Sequence, residues 1–464
     1  MKIMHKQLII LVLFTVACIF PFSEIKAQPD SGSFSNFEPT VFPDRIMLSI
    51  PGDPATSRAV SWRTVFEVTE SVGEIAILDP SPRFEDKVKT VSGTNSPWEE
   101  GSQTSMGHKV IFDNLQPKTK YAYRVGDGKN WSEWFQFETS SAGTEPFSFI
   151  YLGDVQNDIK SLGSRAIRQA YTHFPNARFM LFAGDIVSRS NEEYWREFFY
   201  AGSWIFGTMP SVVTPGNHEF DSNEAKPRTF SKHWNQIYQM PSNSPAEKYK
   251  NRNYYIDYQG VRFVSMDSPS LGNYPDDSTL VLSWLEKTLA ENPNRWTVVF
   301  THYPIYSCSQ GRNNERYRNA VQPLLEKNNV DLVLAGHDHT YCRGFNTENI
   351  MVKGKNAPLY VVSVAGPKMY GLNTSFWSDR VASMTQLYQH ISVSSDKLEY
   401  QSFTVAGDLY DHFTISKSKN GINSFKESPA VAKIIQRTEI PEGAVKNYNE
   451  EELQKYKSKF PKKD

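Results

Sequence analysis

The chain is short of three things: charge of one sign, cysteine, and long apolar runs. Its formal net charge is -1 over 464 residues, which removes the electrostatic case for nucleic acid or an anionic membrane as partner. Its three cysteines show no C-x-x-C spacing, which argues against thiolate metal ligation. Beyond the amino terminus, no segment approaches the ~20 consecutive apolar residues of a membrane span. No fixed-period repeat is present, which excludes solenoids and propellers. What remains is 39% hydrophobic and 22% charged residues, a composition that predicts a packed core. The length exceeds one ordinary domain and suits two.

The amino terminus reads as an export signal over residues 1–27. Lys2 and Lys6 precede an apolar run over residues 8–20, and Ile25-Lys26-Ala27 offers a cut after Ala27. An uncleaved anchor is the alternative. Thr15-Val16-Ala17-Cys18 also resembles a lipoprotein box, the route to a lipid-anchored form. The predicted location is secreted or periplasmic. Removing the signal takes Cys18 with it and leaves Cys308 and Cys342. These two either pair in an oxidising compartment or remain separate buried thiols; the sequence leaves both open.

Residues 28–39 are rich in Ser, Pro, Asp and Gly and read as a loose leader. Residues 40–140 alternate apolar and polar positions in short runs such as Arg45-Ile46-Met47-Leu48 and Ala59-Val60-Ser61-Trp62. Gly52-Asp53-Pro54 and Gly126-Asp127-Gly128 supply turns between them. This predicts an all-β sandwich of the immunoglobulin or fibronectin type III kind. A tyrosine near Leu115, Tyr121 or Tyr123, would anchor a corner through its hydroxyl. A linker over 140–145 follows. Residues 146–415 alternate strand and helix patterns, with helices expected over 159–172, 191–199, 279–291 and 315–327. That alternation predicts an α/β (α+β) domain of mixed sheets flanked by helices. Residues 416–464 read as a polar, Lys-rich, weakly ordered extension.

Five polar clusters stand out in the second domain. They are Gly153-Asp154-Val155-Gln156, Gly184-Asp185, Gly216-Asn217-His218-Glu219, Thr301-His302 and Gly336-His337-Asp338-His339. Each follows an apolar, strand-like run: 147–152, 179–183, 211–214, 297–300 and 331–335. Open α/β sheets gather ligands beyond the carboxyl ends of their strands. Oxygen and imidazole donors in this number suit two divalent or trivalent ions. Turn propensity alone would not select histidine at His218, His302, His337 and His339. Isolated histidines such as His108 and His173 have no such company.

The ordered set resembles the calcineurin-like metallophosphoesterases, and more closely their purple acid phosphatase branch. The stretch Leu115-Gln116-Pro117-Lys118-Thr119-Lys120-Tyr121-Ala122-Tyr123-Arg124-Val125-Gly126-Asp127-Gly128 supports the latter. The resemblance implies that Asp185 bridges two metal ions. Asp154 and His339 would complete the shell of the first, and Asn217, His302 and His337 would hold the second. It implies Fe, Zn or Mn as the ions. His218 would be the general acid or a clamp on the phosphoryl group. Glu219, grouped with it and Asp185 as catalytic, would orient the loop. The expected activity is hydrolysis of a small-molecule phosphate ester, most simply a monoester, by a metal-bound hydroxide without a covalent intermediate. A phosphodiesterase or nucleotide hydrolase is the alternative within enzymes. A catalytically dead glycan-binding or adhesion protein is the alternative outside them. Oligomeric state is left open.

Two departures qualify the resemblance. The purple enzymes owe their colour to a tyrosine three residues after the second aspartate, and here that position is Ser188. A colourless protein is therefore expected. The wider family commonly has His two residues after the first aspartate, and here it is Gln156. Its amide oxygen could ligate the first ion or only hydrogen-bond beside it. Arg189, Tyr303, Tyr306, Tyr341 and Arg343 lie near the clusters in sequence, as candidate phosphate or leaving-group contacts or as packing.

Overall fold

The computed structural model describes residues 38–100, 103–221, 228–345, 357–374 and 377–461. The export signal, its cleavage site and the lipoprotein-like box lie outside the described residues.

Two four-stranded antiparallel sheets form the amino-terminal domain. One runs in the order Asp44–Ser49, Arg58–Val65, Gln103–Phe112, Thr94–Glu100; the other Lys89–Ser92, Val72–Ile77, Lys120–Gly126, Phe135–Glu138. Their inward positions supply Leu48, Val60, Trp62, Val110, Tyr123, Val125 and Phe137 to one core, as period-two alternation requires. The Tyr121 hydroxyl accepts from the Gln116 amide at 2.8 Å, closing the expected corner.

This sandwich is joined to the larger domain by polar groups that each find a partner. Arg45 and Arg63 both reach the Glu192 carboxylate, Arg63 at 2.7 Å. Arg63 also pairs with Asp44 at 2.6 Å. Tyr123 donates to the Gly207 carbonyl at 2.6 Å, and Ser61 to that of Ile237 at 2.6 Å.

Two seven-stranded mixed sheets build the larger domain. The first has the order Ser211–Thr214, Met180–Ala183, Phe147–Leu152, Leu387–Val393, Lys397–Thr404, Leu409–Lys417, Asn423–Glu427. The second runs Tyr254–Tyr258, Val261–Met266, Trp296–Thr301, Leu332–Ala335, Leu359–Val362, Tyr341–Phe345, Ser378–Ala382. Within each, the strands that carry the clusters are parallel to one another. The sheets face each other across one apolar core: Phe149 and Phe263 meet edge to face at 5.1 Å, and Ile150, Phe182, Val298, Phe300 and Leu334 are fully buried there. A second core lies under helices Ser278–Ala290 and Glu315–Lys327. Helices Ser164–His173 and Glu192–Gly202 lie on the first sheet's side.

Two expectations are corrected. The helix predicted over 159–172 opens with a wide turn, Ile159–Gly163, before the regular helix begins at Ser164. Asn157 and Asp158 take positive φ there, so the backbone emerging from the first cluster is not yet helical. The residues after 416 are not a loose tail. Strand Leu409–Lys417 crosses that point, Asn423–Glu427 adds the last strand of the first sheet, and helix Glu450–Lys459 buries Tyr456 on the second core. Scattered residues such as Phe425, Ile434, Tyr448, Leu453 and Tyr456, rather than a periodic apolar stripe, make these contacts, so composition hides them.

Glu192 is the shared acceptor of two arginines whose side chains are 4% and 3% exposed. Removing one partner of a buried pair costs about 3–5 kcal/mol. Glu192→Gln should lower the free energy of unfolding by roughly that amount, read from urea titration followed by tryptophan fluorescence.

Candidate metal centre

All five clusters begin where a strand ends, at Leu152, Ala183, Thr214, Thr301 and Ala335. The chain then has to turn within hydrogen-bonding distance of four other loops. Asp185, His337 and His339 adopt left-handed φ of 47°, 75° and 49°, a conformation that costs an L residue energy and is held by its surroundings. Gly216 cannot be larger, because a Cβ there would overlap the Asp185 carboxylate.

Asp185 is the meeting point. Its Oδ2 lies 3.1 Å from His302 Nε2 and 2.9 Å from the Gln156 side-chain amide. Its Oδ1 accepts from the His218 backbone N–H at 2.9 Å. His302 Nε2 is also 3.1 Å from Asn217 Oδ1 and 3.1 Å from His337 Nδ1. On the other side, His339 Nε2 stands 3.8 Å from Asp154 Oδ1 and 3.1 Å from the Gln156 amide nitrogen. Donor atoms of Asp185, His302 and His337 lie within 4.8 Å of one another, and so do those of Asp154, Asp185 and His339. Asp185 belongs to both groups.

The tautomers are set from outside the cluster. His302 Nδ1 donates to the Ala183 carbonyl at 3.0 Å and His339 Nδ1 to that of Lys368 at 3.1 Å. Each ring therefore offers its Nε2 lone pair inward, the arrangement of metal-ligating histidines. His218 Nδ1 meets the Ser188 carbonyl at 2.6 Å, which leaves its Nε2 3.9 Å from Asp185.

A cation is what this packing lacks. Lone pairs of three imidazoles and two carboxylates face one another, and Asp154 Oδ1 and Gln156 Oε1 are buried without a hydrogen-bond partner among the described residues. Burial pushes the Asp154 carboxyl well up and the His337 and His339 rings down, His339 to about 3. Burial also opposes charge on Asp185, but His302, with His218 and His337, holds its carboxyl far below the ordinary range. Burial likewise disfavours charge on His302, yet Asp185 and Asp154 raise it to about 9. The same two carboxylates that favour a proton on His302 would favour a metal cation at its Nε2. The donor set of carboxylate, amide and imidazole suits hard-to-borderline ions.

Gln156 reaches the cluster through its amide. Its nitrogen faces Asp185 and His339 while its oxygen has no partner. Amide orientation is assigned from hydrogen bonding; with the amide turned over, the oxygen rather than the nitrogen faces Asp185 and His339.

Glu219 touches no inward-facing donor. Its fully buried carboxylate accepts from the backbone N–H groups of Asp185 (3.0 Å), Ile186 (2.9 Å), Val187 (3.2 Å) and Gly216 (2.6 Å). It binds the second and third loops together. Burial and the neighbouring Asp185 charge push it up to about 7, against the pull of those amides.

Of the five nearby candidates, Tyr303 alone joins the cluster, its ring 4.4 Å from that of His337. Tyr341 and Arg343 instead hold buried Asp411, at 2.6 and 3.0 Å. Tyr306 packs on Trp377, and Arg189 is exposed. Arg312, which no motif marks, donates to the His337 carbonyl at 2.6 Å and lies 3.3 Å from Asp338. Asp338 is itself buried, accepting from Ser307 Oγ and the Cys308 amide at 2.8 Å each. Cys308 and Cys342 are disulfide-bonded, which resolves the open pairing and ties the Arg312 loop to the strand after His339. Arg312 and Lys368 act on His339, and Arg228 and Arg312 on Tyr303, as nearby positive charges. These cations come from loops without periodic pattern, which is why sequence reasoning missed them.

Comparison with known proteins agrees with this geometry. Residues 147–341 match the calcineurin-like phosphoesterase family, and residues 43–139 match the purple acid phosphatase N-terminal domain. The chain thus carries a calcineurin-like phosphoesterase domain, with a site for two metal ions, behind a purple acid phosphatase N-terminal domain. Purple acid phosphatase 21 of Arabidopsis thaliana is 26% identical over 74% of this chain and 75% of its own length. Fe(3+)-Zn(2+) purple acid phosphatase 12 of the same plant is 27% identical over 58% of this chain and 60% of its own. The purple acid phosphatase PPD1 from yellow lupin seeds superposes with a TM-score of 0.65 at 16% identity, covering 82% of this chain and 75% of that one. The relatives it matches are purple acid phosphatases, and with the phosphoesterase domain they mark the chain as an acid phosphatase-like hydrolase.

Gly216→Ala should displace Asp185 and lower bound metal below two ions per chain, measured by elemental analysis, while the far-ultraviolet circular dichroism stays native.

Proposed function

We propose that this protein hydrolyses small phosphate monoesters, with Asp154, Asp185 and His339 holding one ion and Asp185, Asn217, His302 and His337 the other. Gln156 adds an amide oxygen to the first. Bound there, the two ions supply Lewis-acid stabilisation of the phosphoryl oxygens and an acidified water. The chain's own side chains do the rest. His218 is fixed by the Ser188 carbonyl with Nε2 turned toward Asp185, so it can carry a proton to the leaving oxygen. Arg312, Lys368 and Arg228 favour a dianionic ester electrostatically. Glu219 acts through the backbone it gathers. The observation that carries the reading is the shared position of Asp185 in both donor groups.

An exported enzyme fits the disulfide, since such bonds persist in oxidising compartments. We place the protein outside the cytoplasm, secreted or periplasmic.

Asp185→Ala should abolish turnover of p-nitrophenyl phosphate together with metal binding. His218→Ala should keep both ions and lose about 10²–10⁴ in kcat, the span of general acid–base catalysis. A wild-type rate in the first variant, or lost metal in the second, contradicts these roles. Activity on p-nitrophenyl phosphate should exceed that on its bis ester; the reverse order would make the enzyme a diesterase.

The Ser188 hydroxyl accepts from the Asn157 amide at 2.8 Å, so no phenolate reaches the ions from that position. The metal-loaded protein should show no visible absorption band even where elemental analysis finds iron.

A further inference from the structure

Beside the metal centre lies a cleft of about 360 Å³ lined by Leu271, Leu282, Tyr303, Tyr317 and Ala320 together with the polar Asn313, Asn314 and Arg316. It opens at the carboxyl ends of two parallel strands, Val261–Met266 and Trp296–Thr301, the edge that also presents His302. Tyr303 is the common wall. Its ring centroid lies 4.4 Å from that of His337, and Tyr303 also lines the cleft. Its backbone N–H donates to Ser268 Oγ at 2.8 Å, which pins the wall at its base. Below, the Tyr317 hydroxyl meets Thr301 Oγ1 at 2.8 Å, so that polar atom is already satisfied and the face left to the cleft is aromatic.

From these observations we infer that the cleft receives the leaving group of the substrate, and that the preferred substrates are monoesters of aromatic or similarly apolar alcohols. The inference rests on the hydrolase reading above. In an in-line displacement the leaving oxygen departs opposite the attacking one, so the alcohol needs room beside the ions. The cleft provides it mostly with leucine, alanine and tyrosine side chains, beside one charged residue, Arg316. Its volume is at the lower end of the ~300–1,000 Å³ range of small-molecule sites, enough for one or two rings and too little for an extended polar chain. A polar leaving group such as glycerol would lose water to the leucine, alanine and tyrosine walls and regain only part of its hydrogen bonding, toward Asn313, Asn314 and Arg316. An aromatic one stacks on Tyr303 and removes apolar surface from water.

The test compares kcat/KM for naphthyl phosphate and methyl phosphate in the metal-loaded full chain, using variants that alter the cleft and not the ions. Ala320→Phe fills the space. Leu282→Asn leaves the space and makes its wall polar, and it serves should the first variant fold poorly. Either change should lower the naphthyl-to-methyl ratio about tenfold or more, the scale on which hydrophobic pockets discriminate. Inhibition by inorganic phosphate monitors the metal centre independently. A ratio unchanged in both variants, with phosphate inhibition intact, overturns the leaving-group assignment and leaves the hydrolase reading standing. A wild-type protein that holds two ions and hydrolyses neither ester overturns the hydrolase reading, and the cleft assignment falls with it.

Discussion

The metal centre depends on one carboxylate that makes no contact with the inward-facing donors. Glu219 draws four backbone amides from two loops onto its two oxygens. A carboxylate in water would gain little by this; a fully buried one, with no other partner, has no alternative. That necessity forces the second and third loops into register and turns Asp185 into the left-handed conformation. Asp185 then faces His302 and Gln156 from one position. The ions add affinity to a site whose geometry the backbone has already set.

The second constraint is electrostatic. Buried carboxylates and imidazoles with inward lone pairs are stable together only around positive charge. The carbonyls of Ala183 and Lys368 keep the outer ring nitrogens of His302 and His339 occupied, so their inner nitrogens face the carboxylates. A bound metal ion would meet that need and would link loops distant in sequence. Fully buried apolar strands behind the loops hold them steady.

Much of this was legible in the sequence. The five clusters were visible because each joins an apolar run to Asp, Asn or His, and strand ends are where side-chain chemistry concentrates in such sheets. The tyrosine corner at Tyr121 was legible for a similar reason, through alternation. Other features were hidden. Strands Tyr254–Tyr258, Tyr341–Phe345 and Ser378–Ala382 are short, and pairing rather than pattern defines them. Tyr341 and Arg343 follow the last cluster in sequence yet both reach Asp411, because residues two apart on a strand share a face. Arg312 and Asp338 form a brace that only the folded loop reveals. The disulfide needed a Cα separation, 6.4 Å, that no spacing supplies.

The contacts of Tyr448 have a consequence for proteolysis. Tyr448 donates to the Leu372 carbonyl at 2.6 Å, and the next residue, Asn373, donates to the Cys308 carbonyl at 2.7 Å. Through this chain of contacts Tyr448 buttresses the loop that carries Arg312. A protease that cut before Tyr448 would loosen that loop while leaving every candidate metal ligand in place.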